Sequence, residues 1–406
     1  MKICEVIGVR IALFLEVYFP YVNGVITYTS MLKDSFERMG HQVLIVTADP
    51  DLLRHRLREG VLYCPALRMK KLYGYGLASP FSHSRMKYLK EFDPDIIHIH
   101  NEFGISLFGV YAARRLNKPL VYTFHTMYDD YIFYVANRVF QPIAKGIFHR
   151  YLKFISNRAD EITSPSQKAV DFFKQCGVDK EVSIVPNGVD LNAFTPTTGE
   201  RSELAAALRE KLGIPQDALT GIFVGRVGKE KAIDWLLQAW ADNIKGIPSH
   251  SLIILGDGPS LEEMKALAVS LGLEKQVIFT GKVDHRQVPL YYAASDYYTT
   301  ASLSEMMSIS AMEALASGLP AVVRMDPTNK NQIQEGVNGY TYTTPKEMAD
   351  IIFKLREIPA DQWAALRHQV RESMHQATAD DSAQFIIRIY EKATQEAPRN
   401  GLKASP

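Results

Sequence analysis

Two carboxylates, Glu305 and Glu313, stand either side of a short predicted helix start. The stretch Ser304-Glu305-Met306-Met307-Ser308-Ile309 follows an apolar, β-rich run, Tyr297 to Ala301. It predicts a helix from near Met307 to Gly318, where a left-handed cap suits glycine. The first turn of a helix carries unpaired N–H groups and the positive end of the dipole, so it seats an anion. Ser308 and Ile309 fall in that turn, Glu305 at its mouth, and Glu313 within the helix. The two carboxylates can therefore serve different parts of one extended ligand. An anion flanked by two hydroxyl-seeking carboxylates fits a sugar nucleotide.

Cations come from Gly225-Arg226-Val227-Gly228-Lys229-Glu230-Lys231-Ala232, which follows a predicted strand, Gly221–Val224. Transfer of a sugar from a nucleotide releases a diphosphate whose negative charge grows as the bond breaks, so fixed cations such as Arg226 and Lys231 lower the barrier. The spacing is neither a Walker loop nor a dinucleotide fingerprint. Gly256-Asp257-Gly258-Pro259 reads as a tight turn after the next strand. In the first half, Asn23-Gly24-Val25 opens a helical stretch, and Gly24 lets backbone N–H groups come close to a leaving phosphate. His125 ends another predicted strand and is followed by Thr126-Met127-Tyr128-Asp129-Asp130-Tyr131. A histidine there is suited to orienting a sugar or handling a proton. The spelling Asp-x-Asp occurs at Asp49-Pro50-Asp51 and Asp93-Pro94-Asp95, where the prolines point to turns and not to a metal site.

The elements that must position these groups alternate. Predicted strands at Arg10–Phe14, Val43–Thr47, Ile96–Ile99, Leu120–Thr123, Glu161–Thr163 and Val182–Val185 are separated by helical stretches such as Thr27–Met39 and Ala144–Arg158. A second series runs Gly221–Val224, Ser251–Leu255, Val277–Phe279, Tyr297–Thr300, Ala321–Val323 and Gly339–Tyr342. Strand–helix alternation gives parallel sheets covered on both faces. Two series give two Rossmann-like domains, with a seam near Pro196 to Glu200 that sets domains of 1–198 and 199–381. Ligands in such folds bind at the carboxyl ends of the strands.

The 406 residues contain 46 Lys and Arg against 45 Asp and Glu, a net charge of +1 that excludes any global attraction to nucleic acid. Cys4, Cys64 and Cys176 lack metal-ligand spacing and read as reduced thiols of a cytoplasmic protein. Apolar runs are too short to span a bilayer, and no signal peptide is expected at the N-terminus. Basic residues sit among apolar ones at Leu67 to Tyr73, Arg85 to Lys90 and Arg150 to Phe154. Such segments favour an anionic membrane surface. Tail residues 397–406 are expected to be disordered.

Glu305, seven residues, Glu313 and Gly-Leu-Pro together resemble the E-x7-E signature of retaining glycosyltransferases of family 4. Gly225-Arg226 to Lys231 resembles that family's diphosphate-holding G-R-x-x-x-E-K-G element, Gly256 to Pro259 its G-D-G-P turn, and Pro186-Asn187-Gly188-Val189-Asp190 its P-N-G-V-D element. Tyr122 to Tyr131 is similar to the segment of its bacterial diacylglycerol glucosyltransferases, and His98 to Phe103 to its H-x-x-x-E-F strand end. The resemblance covers about Val9 to Lys392. It implies the α/β fold called GT-B, two Rossmann-like parallel-sheet domains facing a central cleft, with a last helix, about 382–396, crossing back to the first domain. It further implies metal-independent hexosyl transfer, with Arg226 and Lys231 on the diphosphate, Glu305 on sugar hydroxyls, Glu313 on the ribose and His125 beside the sugar. The donor, UDP-glucose or UDP-galactose, is a substrate, and no cofactor is expected. The acceptor is a glycolipid such as diacylglycerol or monoglycosyl-diacylglycerol, reached from a peripheral position on the inner face of the cell membrane. A polysaccharide acceptor and a non-catalytic partner subunit are the alternatives. Three positions depart from the pattern: Ser308 and Ala232 replace glycines, and Glu16-Val17 replaces Asp-Thr.

Overall fold

The apolar runs become strands and the amphipathic stretches between them become covering helices in the computed structural model, which describes residues 8–21, 23–69, 75–130, 140–194, 200–326 and 332–396. Cys4, Val22, Lys70 to Tyr73, Tyr131, residues 196–199 of the expected seam and the 397–406 tail lie outside the described residues. The chain divides into two units, residues 1–186 with 379–406, and residues 187–378. It passes from one to the other at Pro186-Asn187, within the Pro-Asn-Gly-Val-Asp element and ahead of the expected seam.

The first unit contains β1 (Arg10–Leu15), β2 (Gln42–Asp49), β3 (Arg56–Arg58), β4 (Val61–Pro65), β5 (Leu67–Met69), β6 (Tyr75–Leu77), β7 (Ile96–Ile99), β8 (Leu120–Thr123), β9 (Glu161–Ser164) and β10 (Val182–Ile184). Eight of them form one sheet in the order β10-β9-β8-β7-β1-β2-β4-β3, while β5 and β6 pair separately. Every pairing in the large sheet is parallel except β3 with β4. Fully buried strands such as Ile96–Ile99 read as continuous apolar runs because helices cover both faces.

The last helix, Ala379–Glu396, belongs to this first unit. Ala383, Ile386, Tyr390 and Ala393 recur every three or four residues and are all buried. The helix packs on the Gly24–Arg38 helix, where Tyr390 meets Phe36 with ring centroids 5.8 Å apart. Tyr390 also reaches the sheet, its hydroxyl 2.7 Å from His98 Nδ1. Phe385 of this helix is exposed.

The second unit contains β11 (Leu219–Val224), β12 (His250–Leu255), β13 (Val277–Gly281), β14 (Tyr297–Thr300), β15 (Ala321–Arg324) and β16 (Gly339–Tyr342), all parallel, in the order β13-β12-β11-β14-β15-β16. Successive side chains alternate between two cores. Phe223, Leu252 and Ile254 face Trp240 and Ile352. Ile222, Ile253 and Leu255 face Met312, Leu315 and Tyr292. The order of strands reverses between β11 and β14, and that is where such a sheet leaves a crevice at its carboxyl end.

Candidate active site

The loops leaving β11 and β14 carry the groups singled out by spacing. After β11 the chain turns through Gly225, Arg226, Val227 and Gly228 into a short 3-10 turn, Lys229–Lys231. This turn is braced by the Gly256–Pro259 turn. Val227 N–H donates to Asp257 O at 3.0 Å, and Ser260 N–H donates to Val227 O at 3.1 Å. Gly256 is at φ +144, and a Cβ there would stand 1.8 Å from Gly225 O. The Gly-Asp-Gly-Pro turn therefore acts as a buttress of the cationic loop.

Arg226 is held by Glu230, with Nη2 2.5 Å from Oε1, and the Glu230 side chain is fully buried. Lys231 reaches across to the β14 loop, where its Nζ lies 2.5 Å from Glu305 Oε1. Both partners of that pair are mostly buried. The structure thus brings Arg226, Lys231 and Glu305 to the ends of two neighbouring strands. The loop carrying Glu305 is tied down further: Ser304 Oγ donates to Glu230 O at 3.0 Å, and Asn187 Nδ2 donates to Met307 O at 3.3 Å. Asn187, in the Pro-Asn-Gly-Val-Asp element, is an anchor for this loop.

The helix expected from near Met307 begins at Ile309 and spans Ile309–Ala316, because Ser308 is its N-cap. Ser308 is extended at φ −74 and ψ 111, and its Oγ accepts from Ala311 N–H at 3.2 Å. A hydroxyl at this position therefore satisfies one of the helix's own donors. Gln332 clasps the same residue, its Nε2 donating to Ser308 O at 2.7 Å. The amides of Ile309 and Ser310 have no acceptor among the described residues, as the first turn of a helix requires if it is to bind an anion. At its far end the helix stops at Gly318, at φ +80, as expected.

Glu313 is buried. Its Oε1 lies 3.0 Å from His285 Nε2, and its Oε2 accepts from the Tyr292 hydroxyl at 3.2 Å. The hydrogen bond that His285 donates to Glu313 raises the His285 pKa, opposed by partial burial. His285, Gln332 and the supporting role of Glu230 were not read from spacing. A mid-helix glutamate in a sequence does not show that it is buried or what satisfies it, and His285 lies 28 residues away on another loop.

Ala232 follows the cationic turn at φ +49, a left-handed conformation. Glycine adopts it without strain, whereas alanine strains there by about 1–2 kcal/mol. Ala232→Gly is expected to stabilise the protein by about 1 kcal/mol, the strain relieved minus the extra freedom of glycine in the unfolded chain. Denaturant unfolding checks it, and a loss of stability would contradict the strain.

In the first unit, Gly24 opens the Gly24–Arg38 helix after β1, with Asn23 as its N-cap accepting from Ile26 N–H at 2.9 Å. Glu16 is buried, and Ser106 N–H donates to its Oε1 at 3.1 Å. Burial raises its carboxyl to about 7, opposed by the amides of Ser106 and Ile105. Glu102 is likewise buried and pushed up to about 7, opposed by the hydroxyls of Tyr122 and Tyr128 that hydrogen-bond it. These carboxyls organise the interior. His98 is interior too, with Nδ1 on Tyr390 and Nε2 2.6 Å from Thr123 Oγ1. His125 is half-buried, its Nε2 3.0 Å from His100 Nδ1, and burial lowers its pKa to about 3. Asp129 is paired with Lys145 at 3.2 Å and His149 at 3.1 Å.

Asp49-Pro50-Asp51 turns out of β2, and Asp93-Pro94-Asp95 links the end of a helix to β7. Asp51 N–H donates to Asp49 Oδ1 at 2.9 Å, and Asp93 and Asp95 both pair with Arg10. Among the described residues no three His, Cys, Asp or Glu side chains are placed to hold a metal ion. The thiols of Cys64 and Cys176 are free and buried. Of the basic segments, Arg85 is interior, its guanidinium 4.6 Å from the Phe108 ring centroid, so it leaves the surface set.

Residues 22–193 match Glycosyltransferase Family 4, and residues 205–377 match Glycosyl transferases group 1. The chain is 30% identical over 382 residues to alpha-monoglucosyldiacylglycerol synthase of Streptococcus pneumoniae, covering 94% of this chain and 85% of that protein. The chain belongs to glycosyltransferase family 4. This glycosyltransferase is also 31% identical over 355 residues to alpha-monoglucosyldiacylglycerol synthase of Acholeplasma laidlawii, covering 86% of this chain and 89% of that one. Anabaena HepE in complex with UDP-glucose superposes with a TM-score of 0.73 at 20% identity, over 95% of this chain and 100% of that chain. Sucrose-phosphate synthase from Thermosynechococcus elongatus gives 0.74 at 18%, over 94% and 98%. The transferase therefore has the GT-B fold.

Proposed function

We propose that this glycosyltransferase moves a hexose, with retention at the anomeric carbon, from UDP-glucose or UDP-galactose to diacylglycerol or monoglycosyl-diacylglycerol. The relation to two alpha-monoglucosyldiacylglycerol synthases over most of the chain supports the acceptor class. The site supports the donor: Lys231 pairs with Glu305 just ahead of the Ser308 cap, Arg226 lies on the same loop as Lys231, and the first amides of the helix have no acceptor among the described residues. In the proposed step the bond between sugar C1 and the leaving phosphate oxygen breaks. The acceptor hydroxyl oxygen bonds to C1 from the same face, and its proton passes to the leaving diphosphate. Arg226, Lys231 and the amides of Ile309 and Ser310 take up the growing charge, without a metal. Glu305 fixes sugar hydroxyls and Glu313 the ribose.

A lipid acceptor places the enzyme at a membrane surface. Among the described residues no helix is long and apolar enough to cross a membrane. The Gln141–Ser156 helix instead turns Ile143 and Ile147 outward, 62% and 64% exposed, in line with exposed Phe140 and Phe154. Arg150 lies on the same stripe, and the Arg158 guanidinium sits 3.4 Å from the Phe154 ring centroid. Such a face inserts apolar groups at the headgroup boundary while cations meet anionic lipid. Ile143→Asp with Ile147→Asp is expected to abolish co-sedimentation with phosphatidylglycerol vesicles while leaving UDP binding intact; unchanged co-sedimentation would rule this face out.

The function itself is tested with radiolabelled nucleotide sugars and lipid extracts. Label entering a glycolipid is the expected result. Label entering only a soluble glycan would move the acceptor to polysaccharide.

A further inference from the structure

Three histidines cluster in the first unit at the carboxyl ends of β7 and β8. His98, on β7, and His100, one residue past its end, lie two residues apart and on the same side, their ring centroids 4.0 Å apart. His125 follows the neighbouring strand β8, and its ring stacks on His100 at 5.3 Å. Tyr28 covers both, at 6.0 and 5.1 Å. Burial holds all three below the ordinary histidine range, so each ring carries one proton.

In a neutral pair one ring donates and the other accepts. The His100 Nδ1 to His125 Nε2 contact of 3.0 Å can be made in two ways. If His125 donated, His100 would carry its own proton on Nε2. That atom is buried and has no hydrogen-bond partner. A buried N–H without an acceptor is rarer and costlier than a bare acceptor. The proton therefore belongs on His100 Nδ1, donating to His125 Nε2. His125 must then carry its own proton on Nδ1, which has no protein partner among the described residues.

We infer that His100 is a positioning residue that locks His125 as the Nδ1–H tautomer, so that His125 meets the substrate as a hydrogen-bond donor and not as a proton acceptor. Resting on the proposed transfer, this assigns His125 to holding a sugar or acceptor oxygen and leaves the proton to the diphosphate. His98 does not compete for His100, because both its nitrogens are engaged by Tyr390 and Thr123.

The test is the tautomer itself, read by long-range proton–nitrogen correlation on the full-length 15N-histidine-labelled protein at neutral pH. His125 is assigned by loss of its signal in His125→Gln. The Nδ1–H form is expected in the wild type, and the Nε2–H form would overturn the inference. In His100→Leu, His125 is expected to shift toward Nε2–H; an unchanged tautomer would also overturn it. The same variant is expected to lower kcat by about 10-fold or more with KM for the nucleotide sugar held within about twofold. His100→Asn, whose amide can donate from nearly the same place, is expected to recover most of that loss. Equal losses in both folded variants would contradict positioning. If His100→Leu does not fold, the wild-type tautomer and His100→Asn still decide. Should the wild-type enzyme transfer no sugar, the functional proposal fails while the tautomer is still read.

Discussion

Lys231→Ala is expected to lower kcat by about 10²–10³-fold, the loss typical of removing one preorganised charge from a site where negative charge develops. The ammonium stands where it does because Glu305 holds it at 2.5 Å and because the 3-10 turn Lys229–Lys231 fixes its backbone. The charge is thus oriented before a diphosphate arrives, and no reorganisation is needed as the bond breaks. Lys231→Arg is not expected to rescue it, since a planar fork cannot reproduce a point charge in a pair this close. The loss is expected mainly in kcat, because the charge on the diphosphate is greatest at the transition state. A variant with normal kcat and raised KM would show that Lys231 only binds.

Gly256→Ala is expected to destabilise the second unit by about 3 kcal/mol or more and to weaken nucleotide binding with it. The added Cβ meets Gly225 O at 1.8 Å, a backbone atom that cannot swing aside. The residue also sits at φ +144, which side chains rarely adopt. Relief requires the Gly225–Gly228 loop to move, and that loop carries Arg226. Gly246→Ala separates the two causes. Gly246 is at φ +81 with nothing within 4 Å of its Cβ position, so it bears backbone strain alone, about 1–2 kcal/mol. Urea unfolding and nucleotide titration of both variants check this. Equal effects at both positions would mean that the close approach is not what shapes the loop.

Much of the scaffold is legible from apolar runs between turns. Ile96–Ile99, Leu120–Thr123, Tyr297–Thr300 and Gly339–Tyr342 are strands with the expected limits. Buried parallel strands leave that signal because every side chain is covered. Arg56–Arg58 leaves none, since it is a wholly exposed, antiparallel addition at the sheet edge. The Ile309–Ala316 helix starts close to the expected Met307. The decisive signal was Ser308, a residue type that prefers to cap. Motif spacing brought out Arg226, Lys231 and Glu305, which adjacent strand ends do hold together. It could not show that Glu313 is satisfied by His285 and Tyr292, or that Gln332 clasps Ser308, because those partners come from distant loops. Nor does sequence show which way a histidine pair shares a proton.

Isothermal titration of the intact protein with UDP tests the central claim most directly, namely that the β11 and β14 loops form a diphosphate site. The account predicts binding of UDP to the wild type and a loss of about 1.5–3 kcal/mol of binding free energy in Arg226→Ala, the contribution typical of a charged hydrogen bond. Absence of UDP and GDP binding, together with full cellular function of Glu305→Gln, would contradict it.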